Sequence, residues 1–418
     1  MRPIHAPQVY QACRLRFRPG FSDSRPSRLG GRGLDFGVIL TRLRLQHYRN
    51  YGQLDLGLNP GPTILYGPNG AGKTNILEAV FTLATTKSFR ARSDRDVIGR
   101  HQEAAPYRLL RLEGDIEHED ERLVVELVVT AEPSGREGVE QLRKRFRLNG
   151  APKRAVDVVG RVKAVLFAPS DADIVAGSPS HRRRYLDLLL CQVDPGYLRL
   201  LQQYTRIVQR RNAVLGRLAP RSHPGILEFW DQKLIEDGSA IIRRRVQAIQ
   251  DLAEAAAEAY AGLSGGSEAL SVGYLPSLGT VDGESAVEER FRARLTEEEK
   301  RGREQRVTLV GPHRDELALE IEGEPLAVFG SRGQQRTAAL ALRIAEARYI
   351  LSRSGRHPIL LLDEALAELD DDRRERLLAF VEAFPQVLLT GTSLAAFPAE
   401  FRQRAALLRV HSGEISSD

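Results

Sequence analysis

The chain has 418 residues, of which 42% are hydrophobic, a composition typical of a globular protein with two or three domains. No apolar run has the length of a membrane-spanning helix, so we expect a soluble protein without a membrane partner. The two cysteines, Cys13 and Cys191, are far apart and lack CxxC partners, which excludes a disulfide framework or zinc site and favours a cytoplasmic location.

The positive charge is concentrated at the amino terminus. Residues 1–37 carry seven arginines and two aspartates, and so contribute +5 of the formal net charge of +6. This segment has no hydrophobic periodicity, which predicts a disordered extension, and its Arg-rich composition is also typical of a transit peptide. A start-site artefact is the alternative, with Val38 as the initiator, because the organised sequence begins there. Bulk charge therefore gives little argument for nucleic-acid binding.

The first organised elements are strands that lead into a glycine-rich loop. Residues 39–45 and 54–58 alternate between apolar and polar side chains, which predicts two strands. A turn at 59–62 precedes a short apolar run at 63–66, and helical spacing begins at Ile76. Strand, loop and helix thus follow one another in the order of a P-loop.

The loop itself matches the pattern GxxxxGK[ST] at every fixed position. Its residues are Gly67, Pro68, Asn69, Gly70, Ala71, Gly72, Lys73 and Thr74. Glycines allow backbone N–H groups to converge on phosphate oxygens. We expect Lys73 to contact the β and γ phosphates of ATP and Thr74 to offer its hydroxyl to Mg²⁺.

The middle of the chain is first β-rich and then helix-rich. Residues 107–159 predict antiparallel strands, with a hairpin turn at Asn149-Gly150. Ser178 as N-cap and Pro179 as first residue open a helical region that extends to about Ala261. Its expected breaks are at residues 194–196 and 220–224. Strands are expected again at 307–310 and 317–321, and a helix at 335–351. The helices therefore look inserted into a head that both chain ends complete.

An apolar run followed by two carboxylates supplies the second nucleotide motif. Ile359–Leu362 predicts a buried parallel strand, and Asp363 and Glu364 follow it. We expect Asp363 to bind Mg²⁺ and Glu364 to activate the attacking water as the catalytic base. The adjacent Asp-Glu pair indicates an ABC-type ATPase and not a GTPase or a kinase.

ABC-type heads also need a Ser/Gly loop at a helix N-terminus, which completes the site of a partner subunit. Leu263-Ser264-Gly265-Gly266 is similar to the transporter signature LSGGQ, but it follows a helix, so we interpret it as a turn. Ser331-Arg332-Gly333-Gln334 instead opens the helix before the 359–362 strand. We expect Ser331, Gly333 and Gln334 to contact ATP across an ATP-dependent homodimer.

Two further segments follow the carboxylate pair. Glu368-Leu369-Asp370 fits a D-loop, which places Asp370 at the nucleotide. The apolar strand at 386–389 ends in Thr390 and Thr392, at the position of a γ-phosphate sensor. Because no histidine lies there, one of these threonines would have to sense the phosphate, and we expect slow hydrolysis. A purely structural strand end is the alternative.

The order and spacing of several motifs over residues 38–418 resemble the RecF family of bacterial DNA replication and repair proteins. They are residues 43–45, 47–51, 67–75, 87–90, 177–179, 182–187, 311–315 and 333–336. The resemblance implies an α/β fold: an ABC-type, SMC-like P-loop ATPase head with an antiparallel β layer and an inserted helical domain. We expect the head to comprise residues 38–170 and 301–418, and the helical arm, or lobe II, residues 171–300.

The resemblance also implies a function in DNA replication, recombinational repair and the SOS response. It implies ATP-dependent dimerisation, slow DNA-stimulated ATP hydrolysis, binding of single- and double-stranded DNA, and work with RecO and RecR in placing the RecA recombinase at gaps. The family usually carries Pro-Glu-Asp where this chain has Pro169-Ser170-Asp171, which leaves the Mg²⁺-contacting Q-loop residue unassigned.

Arginine clusters supply the candidates for contact with DNA phosphates. They are Arg182, Arg183, Arg184, Arg210, Arg211, Arg243, Arg244 and Arg245. A solvated helix face explains any one cluster at least as well.

Two other functions remain open beside a DNA-repair ATPase whose hydrolysis resets a DNA clamp. The head could be an ATP-gated protein-interaction module in which hydrolysis is incidental. It could also be the nucleotide-binding subunit of a transporter, but that function needs the Leu263 segment as its signature.

Overall fold

A computed structural model of the chain describes residues 37–99, 108–118, 121–133, 140–217, 224–266, 268–279, 286–367 and 369–417. The predicted extension at residues 1–37 lies outside these ranges except for Gly37. Residues 220–223 of the predicted helix break also lie outside them.

Fifteen strands lie within the described residues, in three sheets. They are β1 (Ile39–Tyr48), β2 (Tyr51–Gly57), β3 (Gly61–Tyr66), β4 (Arg108–His118), β5 (Glu121–Pro133), β6 (Glu140–Leu148), β7 (Ala151–Lys153), β8 (Ala164–Phe167), β9 (Leu270–Leu275), β10 (Glu316–Ile321), β11 (Glu324–Pro325), β12 (Ile359–Leu362), β13 (Gln386–Gly391), β14 (Ala406–His411) and β15 (Glu414–Ser417).

Twelve α-helices lie in the same part of the chain. They are α1 (Lys73–Thr85), α2 (Ala155–Val158), α3 (Ala172–Ala176), α4 (Pro179–Val193), α5 (Pro195–Leu215), α6 (Glu228–Ser264), α7 (Ala286–Glu297), α8 (Glu299–Gln305), α9 (Leu326–Phe329), α10 (Arg332–Ser354), α11 (Asp371–Val381) and α12 (Ala399–Arg404). Among the helices described, none has both the length and the apolar character needed to cross a membrane.

The central sheet has the strand order β15-β14-β3-β13-β12-β8 and is parallel except for the β14–β15 pair. Every residue of β12 is buried, as expected for a parallel strand that is covered on both faces. Leu360 and Leu362 pack into one core with α6 and α10, whereas Ile359 and Leu361 pack into a second core with α1 and the antiparallel sheet. The prediction of a buried parallel strand at 359–362 is confirmed.

The antiparallel layer has the strand order β2-β1-β4-β5-β6-β7. Asn149 and Gly150 join β6 to β7 with φ angles of 48° and 77°, the left-handed pair that a tight hairpin turn requires. The predicted β layer is therefore confirmed. Residues 155–158, which were expected to continue it, form α2 instead.

The helical region begins as the sequence predicts. Ser178 is the N-cap of α4 and Pro179 its first residue. Asp194 caps α5 by accepting hydrogen bonds from the backbone N–H groups of Gly196 at 2.8 Å and Tyr197 at 3.0 Å. The predicted break at 194–196 thus separates α4 from α5. The long helix α6 ends at Ser264, three residues beyond Ala261, where the sequence predicts the end of this helical region.

Two sequence-based boundaries need correction. Residues 307–310 are not a strand, because the side chain of Asn212 replaces a neighbouring strand: its Oδ1 accepts hydrogen bonds from Thr308 N at 2.8 Å and Thr308 Oγ1 at 2.7 Å. The helix expected at 335–351 is α10, which is longer at both ends because Ser331 caps its start and Gly355 its end.

A buried polar network joins the helical region to the segment that precedes β10. Arg245 of α6 is 1% exposed and donates hydrogen bonds to Asp187 at 2.7 Å and to the carbonyl oxygen of Pro312 at 2.6 Å. Next to it, the ring nitrogens of His313 lie 2.7 Å from the Tyr204 hydroxyl and 3.1 Å from the carbonyl oxygen of Thr308. Burial lowers the pKa of His313 from 6.5 to about 4.

The depressed pKa of His313 predicts a loss of stability in mild acid. As the pH falls below 6.5, this histidine takes up a proton in the unfolded chain, whereas in the folded protein it stays neutral until about pH 4. The free energy of unfolding therefore falls by up to about 3 kcal/mol as the pH drops across this window. We expect His313→Gln to lower the slope of the free energy of unfolding against pH by the equivalent of up to one proton. Urea titrations between pH 4 and 7 measure this slope. The exposed His181, changed to Gln, is the control. An unchanged slope in the His313 variant would contradict the assignment.

Candidate nucleotide-binding site

Residues 67–74 connect the end of β3 to the start of α1. Gly67, Gly70 and Gly72 have φ angles of 151°, 80° and 117°, a region of backbone conformation that favours glycine. A Cβ on Gly67 would lie 2.1 Å from the carbonyl oxygen of Val410, and one on Gly72 would lie 2.7 Å from the side chain of Asn50. Two of the loop glycines are therefore required by space as well as by conformation.

Lys73 folds back over this loop. Its Nζ donates hydrogen bonds to the carbonyl oxygens of Gly67 at 2.8 Å and Pro68 at 3.0 Å, and the residue is 4% exposed. Burial lowers the pKa of Lys73, while the nearby carboxylates of Glu364 and Asp363 act in the opposite direction. The ammonium group is thus held at the mouth of the loop, where its positive charge can meet a phosphate.

Three side chains from different parts of the chain converge beside Lys73: Thr74 in the first turn of α1, Asp363 just after β12, and Thr390 near the end of β13. The Thr74 hydroxyl donates to Asp363 Oδ1 at 2.8 Å, and the Thr390 hydroxyl donates to the same oxygen at 3.0 Å. The Thr390 oxygen also accepts the backbone N–H of Glu364 at 2.9 Å. Residues that are far apart in the sequence thus form one hydrogen-bonded cluster between the start of α1 and the carboxyl ends of β12 and β13.

Glu364 faces the phosphate loop from this cluster. Its Oε1 lies 3.9 Å from Lys73 Nζ, and its side chain is 37% exposed. Its φ angle is 50°, an unfavourable region for a residue with a side chain, and the hydrogen bond from its backbone N–H to Thr390 holds it there. A carboxylate in this place can reach both the loop and a water molecule.

The two candidate sensor threonines lie in different surroundings. Thr390 is 3% exposed, and both its donor and its acceptor capacity serve the Asp363-Glu364 pair. Thr392 is exposed. Sequence reasoning missed the contribution of Thr390 to carboxylate positioning, because the pairing of β12 with β13 is visible only in the fold.

The turn between β1 and β2 supports the loop from the other side. Asn50 Nδ2 donates to the carbonyl oxygen of Ala71 at 2.9 Å, and the Tyr51 hydroxyl donates to that of Gly72 at 3.1 Å. Both residues belong to the 47–51 motif, but the sequence alone does not predict these contacts with the loop. A carbonyl-rich loop needs hydrogen-bond donors from its neighbours, and the polar side chains of the β1–β2 turn are the signal that could have identified them.

A buried glutamate anchors the same turn to α1. Glu78 is fully buried, and its carboxylate accepts hydrogen bonds from Arg49 at 2.6 and 2.8 Å and from Arg90 at 3.2 Å. These arginines hold the pKa of Glu78 below its usual value against the opposing effect of burial, which is the largest single influence on it. A buried charge paired in this way rigidly ties the β1–β2 turn to the P-loop helix.

The segment Pro169-Ser170-Asp171 follows β8, next to the carboxylate pair. Asp171 accepts hydrogen bonds from Arg343 at 2.6 Å and from the backbone N–H of Ala168 at 2.9 Å, so it is already engaged within the chain. Ser170 is exposed. The side chain free to face a ligand at this segment is therefore the serine.

The two signature candidates differ in their position in the fold. Ser331 is the N-cap of α10: its hydroxyl accepts the backbone N–H of Gln334 at 3.2 Å, and Gln334 Oε1 accepts the backbone N–H of Ser331 at 2.8 Å. Gln334 also donates to Glu268 at 2.7 Å. In contrast, Leu263–Gly266 is the carboxyl end of α6, with Gly265 as a left-handed C-cap. Only the Ser331 segment offers a helix N-terminus to a ligand.

The D-loop candidate is partly described. Asp370 is the N-cap of α11 and accepts the backbone N–H of Arg373 at 2.9 Å. Glu368 lies outside the described residues.

The arginine candidates for DNA contact separate into buried and exposed groups. Arg182 and Arg211 are 8% and 3% exposed and pair with Glu316 and Asp231, each at 2.6 Å. We therefore remove these two arginines, and the buried Arg245, from the candidates for DNA contact. An arginine that is paired with a carboxylate inside the protein does not reach a phosphate in solution.

The remaining candidates lie nearer the surface. Arg184 and Arg210 are exposed, and Arg183 is half-buried and donates to the carbonyl oxygen of Asp315 at 2.9 Å. Arg243 and Arg244 pair with Glu288 and Asp194.

The fold and site define a class. A P-loop between a central parallel strand and a helix, an Asp-Glu pair at the end of a neighbouring parallel strand, and an adjoining antiparallel layer make an ABC-type P-loop ATPase head. The Smc head domain from Pyrococcus yayanosii has the same fold, with 14% identity and a TM-score of 0.50.

Comparison with known proteins then narrows the class. The family described as "RecF/RecN/SMC N terminal domain" matches residues 39–398. The chain is 40% identical over 395 residues to the DNA replication and repair protein RecF of Roseiflexus castenholzii, and 41% identical over 394 residues to that of Chloroflexus aurantiacus; each match covers 90% of this chain and 99% of the relative. The chain belongs to the RecF family of DNA replication and repair proteins.

Solved structures agree with this assignment. The structure of the recombination mediator protein RecF with ATP, in the RecFOR pathway, has a TM-score of 0.82 and 28% identity, and the match covers 93% of this chain and 100% of that one. Its counterpart with ATPrS has a TM-score of 0.80 and 28% identity, over 91% and 98%.

The loop geometry predicts that two glycines respond differently to alanine. Gly67→Ala adds a clash with Val410 to the left-handed strain, so we expect a loss of about 2 to 5 kcal/mol in the free energy of unfolding. Gly70→Ala meets no atom within 4 Å and should lose only about 1 to 2 kcal/mol. Urea titration followed by circular dichroism measures both. Equal losses of unfolding free energy in the two variants would contradict a clash between Val410 and a side chain at position 67.

Proposed function

We propose that this chain binds Mg-ATP at residues 67–74, hydrolyses it slowly with stimulation by DNA, and dimerises on ATP to act at gapped DNA in the bacterial cytoplasm. There it binds single- and double-stranded DNA and works with RecO and RecR to load RecA. The observation that carries the proposal is the cluster of Thr74, Asp363 and Thr390, with Glu364 facing Lys73. In the proposed division, residues 38–170 and 301–418 form the head and residues 171–300 the helical arm.

The residues beside the loop suit a magnesium ion bound together with a nucleotide. Thr74 Oγ1 and Asp363 Oδ1 lie 2.8 Å apart, and both are hard oxygen donors, the type that Mg²⁺ prefers. Within the described residues no group of three or more His, Cys, Asp or Glu could hold a metal ion unaided. Magnesium of this kind takes its remaining ligands from phosphates and water. The ion would supply positive charge to the β and γ phosphates.

The chain's own groups divide the rest of the reaction. The backbone N–H groups of residues 67–74 bind phosphate oxygens, and Lys73 neutralises charge on the β and γ phosphates. Glu364 orients the attacking water and accepts its proton. Thr390 fixes the positions of Asp363 and Glu364 through its hydrogen bonds. The exposed Thr392 is the better candidate for the γ-phosphate sensor.

The proposed homodimer is supported by the exposed position of Ser331 at the N-terminus of α10. Ser331 and Gln334 bond to each other, Gln334 also donates to Glu268, and Gly333 lies in the first turn of α10. This helix N-terminus carries positive partial charge and faces outward, so it is available to the γ phosphate on a second copy. Asp370, at the N-terminus of α11, would lie at the same interface. The exposed Val328 and Phe329, at 71% and 68%, flank the segment and suit burial there.

Changing Glu364 to Gln distinguishes an ATPase whose hydrolysis resets a DNA clamp from an ATP-gated protein-interaction module. The amide does not accept the proton from water, so we expect a persistent ATP-bound dimer in solution and loss of repair in cells. Light scattering after size exclusion, with Mg-ATP and DNA, measures the dimer, and ultraviolet survival measures repair. Lys73→Ala, which weakens ATP binding, should remain monomeric. Retention of repair by the Glu364 variant would favour the interaction module, and a monomer would contradict the shared site.

Changing Thr390 to Val tests the positioning of the carboxylates. The two side chains have similar shape, but Val loses both hydrogen bonds to the Asp363-Glu364 pair. We expect kcat for ATP to fall about 10- to 100-fold, with the Kd for a non-hydrolysable ATP analogue changed much less. Thr390→Ser keeps the hydroxyl and should restore most of kcat. A wild-type kcat in the Val variant would contradict the proposal that Thr390 positions the two carboxylates.

A further inference from the structure

A groove with a basic lining runs along α5, away from the nucleotide site. It consists of three adjoining cavities of about 660, 630 and 220 Å³. The first two share Gln202 and Arg206 as lining residues, and the last two share Arg183 and Gln209. Because neighbouring cavities share lining residues along α5, we describe them together and name them the α5 groove.

The groove carries an excess of exposed positive charge. Five of its lining residues are exposed and form no ion pair within the described parts of the chain: Lys87, Arg184, Arg199, Arg206 and Arg210. The one carboxylate described in the lining, Asp187, forms an ion pair with buried Arg245 at 2.7 Å. Unneutralised arginines along a groove attract a polyanion.

Aromatic side chains lie at one end of this charge. Phe229 is 63% exposed and lies with its ring centroid 5.1 Å from that of Trp230. The Arg210 guanidinium lies 5.8 Å from the centre of the Trp230 ring. Exposure of a large aromatic ring is costly in water, and a ring beside a guanidinium is a surface on which a nucleic-acid base stacks.

We infer that the α5 groove binds single-stranded nucleic acid, with phosphates on its arginines and bases stacked on Phe229 and Trp230. The inference rests on the proposed DNA-binding function and gives that function a location. Unpaired bases are required, because the faces of bases in a duplex are already stacked on one another. A purely electrostatic duplex site would need the arginines but not the exposed phenylalanine.

The groove also touches the helix that begins at the phosphate loop. Thr85, Thr86 and Lys87 line it at the carboxyl end of α1, whose first residue is Lys73. The 13 residues of α1 span about 20 Å. A strand in the groove would therefore contact the element that also carries the nucleotide.

The single tryptophan of the chain gives a direct test. We expect oligo(dT) to quench Trp230 emission in the full-length protein with Mg-ATP, at the concentrations at which a labelled oligo(dT) shows raised anisotropy. Phe229→Ala should weaken oligo(dT) binding about 5- to 100-fold, while duplex binding changes little. Arg206→Ala with Arg210→Ala should lower the slope of log affinity against log salt by about 1.4 for single strands. Arg292→Ala, an exposed arginine of α7 outside the groove lining, is the control.

The outcomes separate the groove from DNA binding in general. Absence of oligo(dT) and duplex binding would overturn the proposed function together with the groove. Oligo(dT) binding without quenching, with Phe229→Ala equal to wild type, would overturn the groove alone. Displacement of oligo(dT) by poly-glutamate at equal charge, with no effect of Phe229→Ala, would assign the groove to an acidic peptide instead.

Discussion

The parallel register of β3, β13 and β12 is the constraint on which the site depends. Leu362 pairs with Leu389, and Leu389 pairs with Ile64, so the three strands end side by side. This places Asp363, which follows β12, beside Thr390 near the end of β13. Thr74 joins them from the first turn of α1, although the chain separates it from Asp363 by 289 positions. Hydrogen bonds among Thr74, Asp363 and Thr390 fix what the strand pairing brings together, and Lys73 closes the site above them.

The segment that precedes this sheet's β12 strand bears on the proposal that two copies share a nucleotide. Helix α10 directly precedes β12 in the chain, and its N-cap Ser331 is exposed. Ser331 and Gln334 bond to each other, and Gln334 bonds to Glu268 rather than to the loop. In the proposed dimer, the exposed serine-capped helix of a second copy covers the side of the nucleotide that one copy leaves open.

The sequence predicted the features that local pattern determines and missed those that depend on distant partners. The glycine loop, the β12 strand and the Ser331 cap each follow from a few neighbouring residues. By contrast, Arg182 and Arg184 are two positions apart on one helix, and only Glu316, 134 positions away, makes the first a buried ion pair while the second remains exposed. Thr390 likewise acquires its function only through the pairing of β13 with β12.

The central claim, a nucleotide shared between two copies, is tested most directly by mixing two inactive variants. Lys73→Ala removes the phosphate contact, and Ser331→Arg blocks the helix tip. In a mixed dimer one of the two sites keeps both intact parts, so the account predicts that an equimolar mixture regains about a quarter of wild-type ATP hydrolysis. A mixture as inactive as its components, although mixed dimers form, would contradict the shared site.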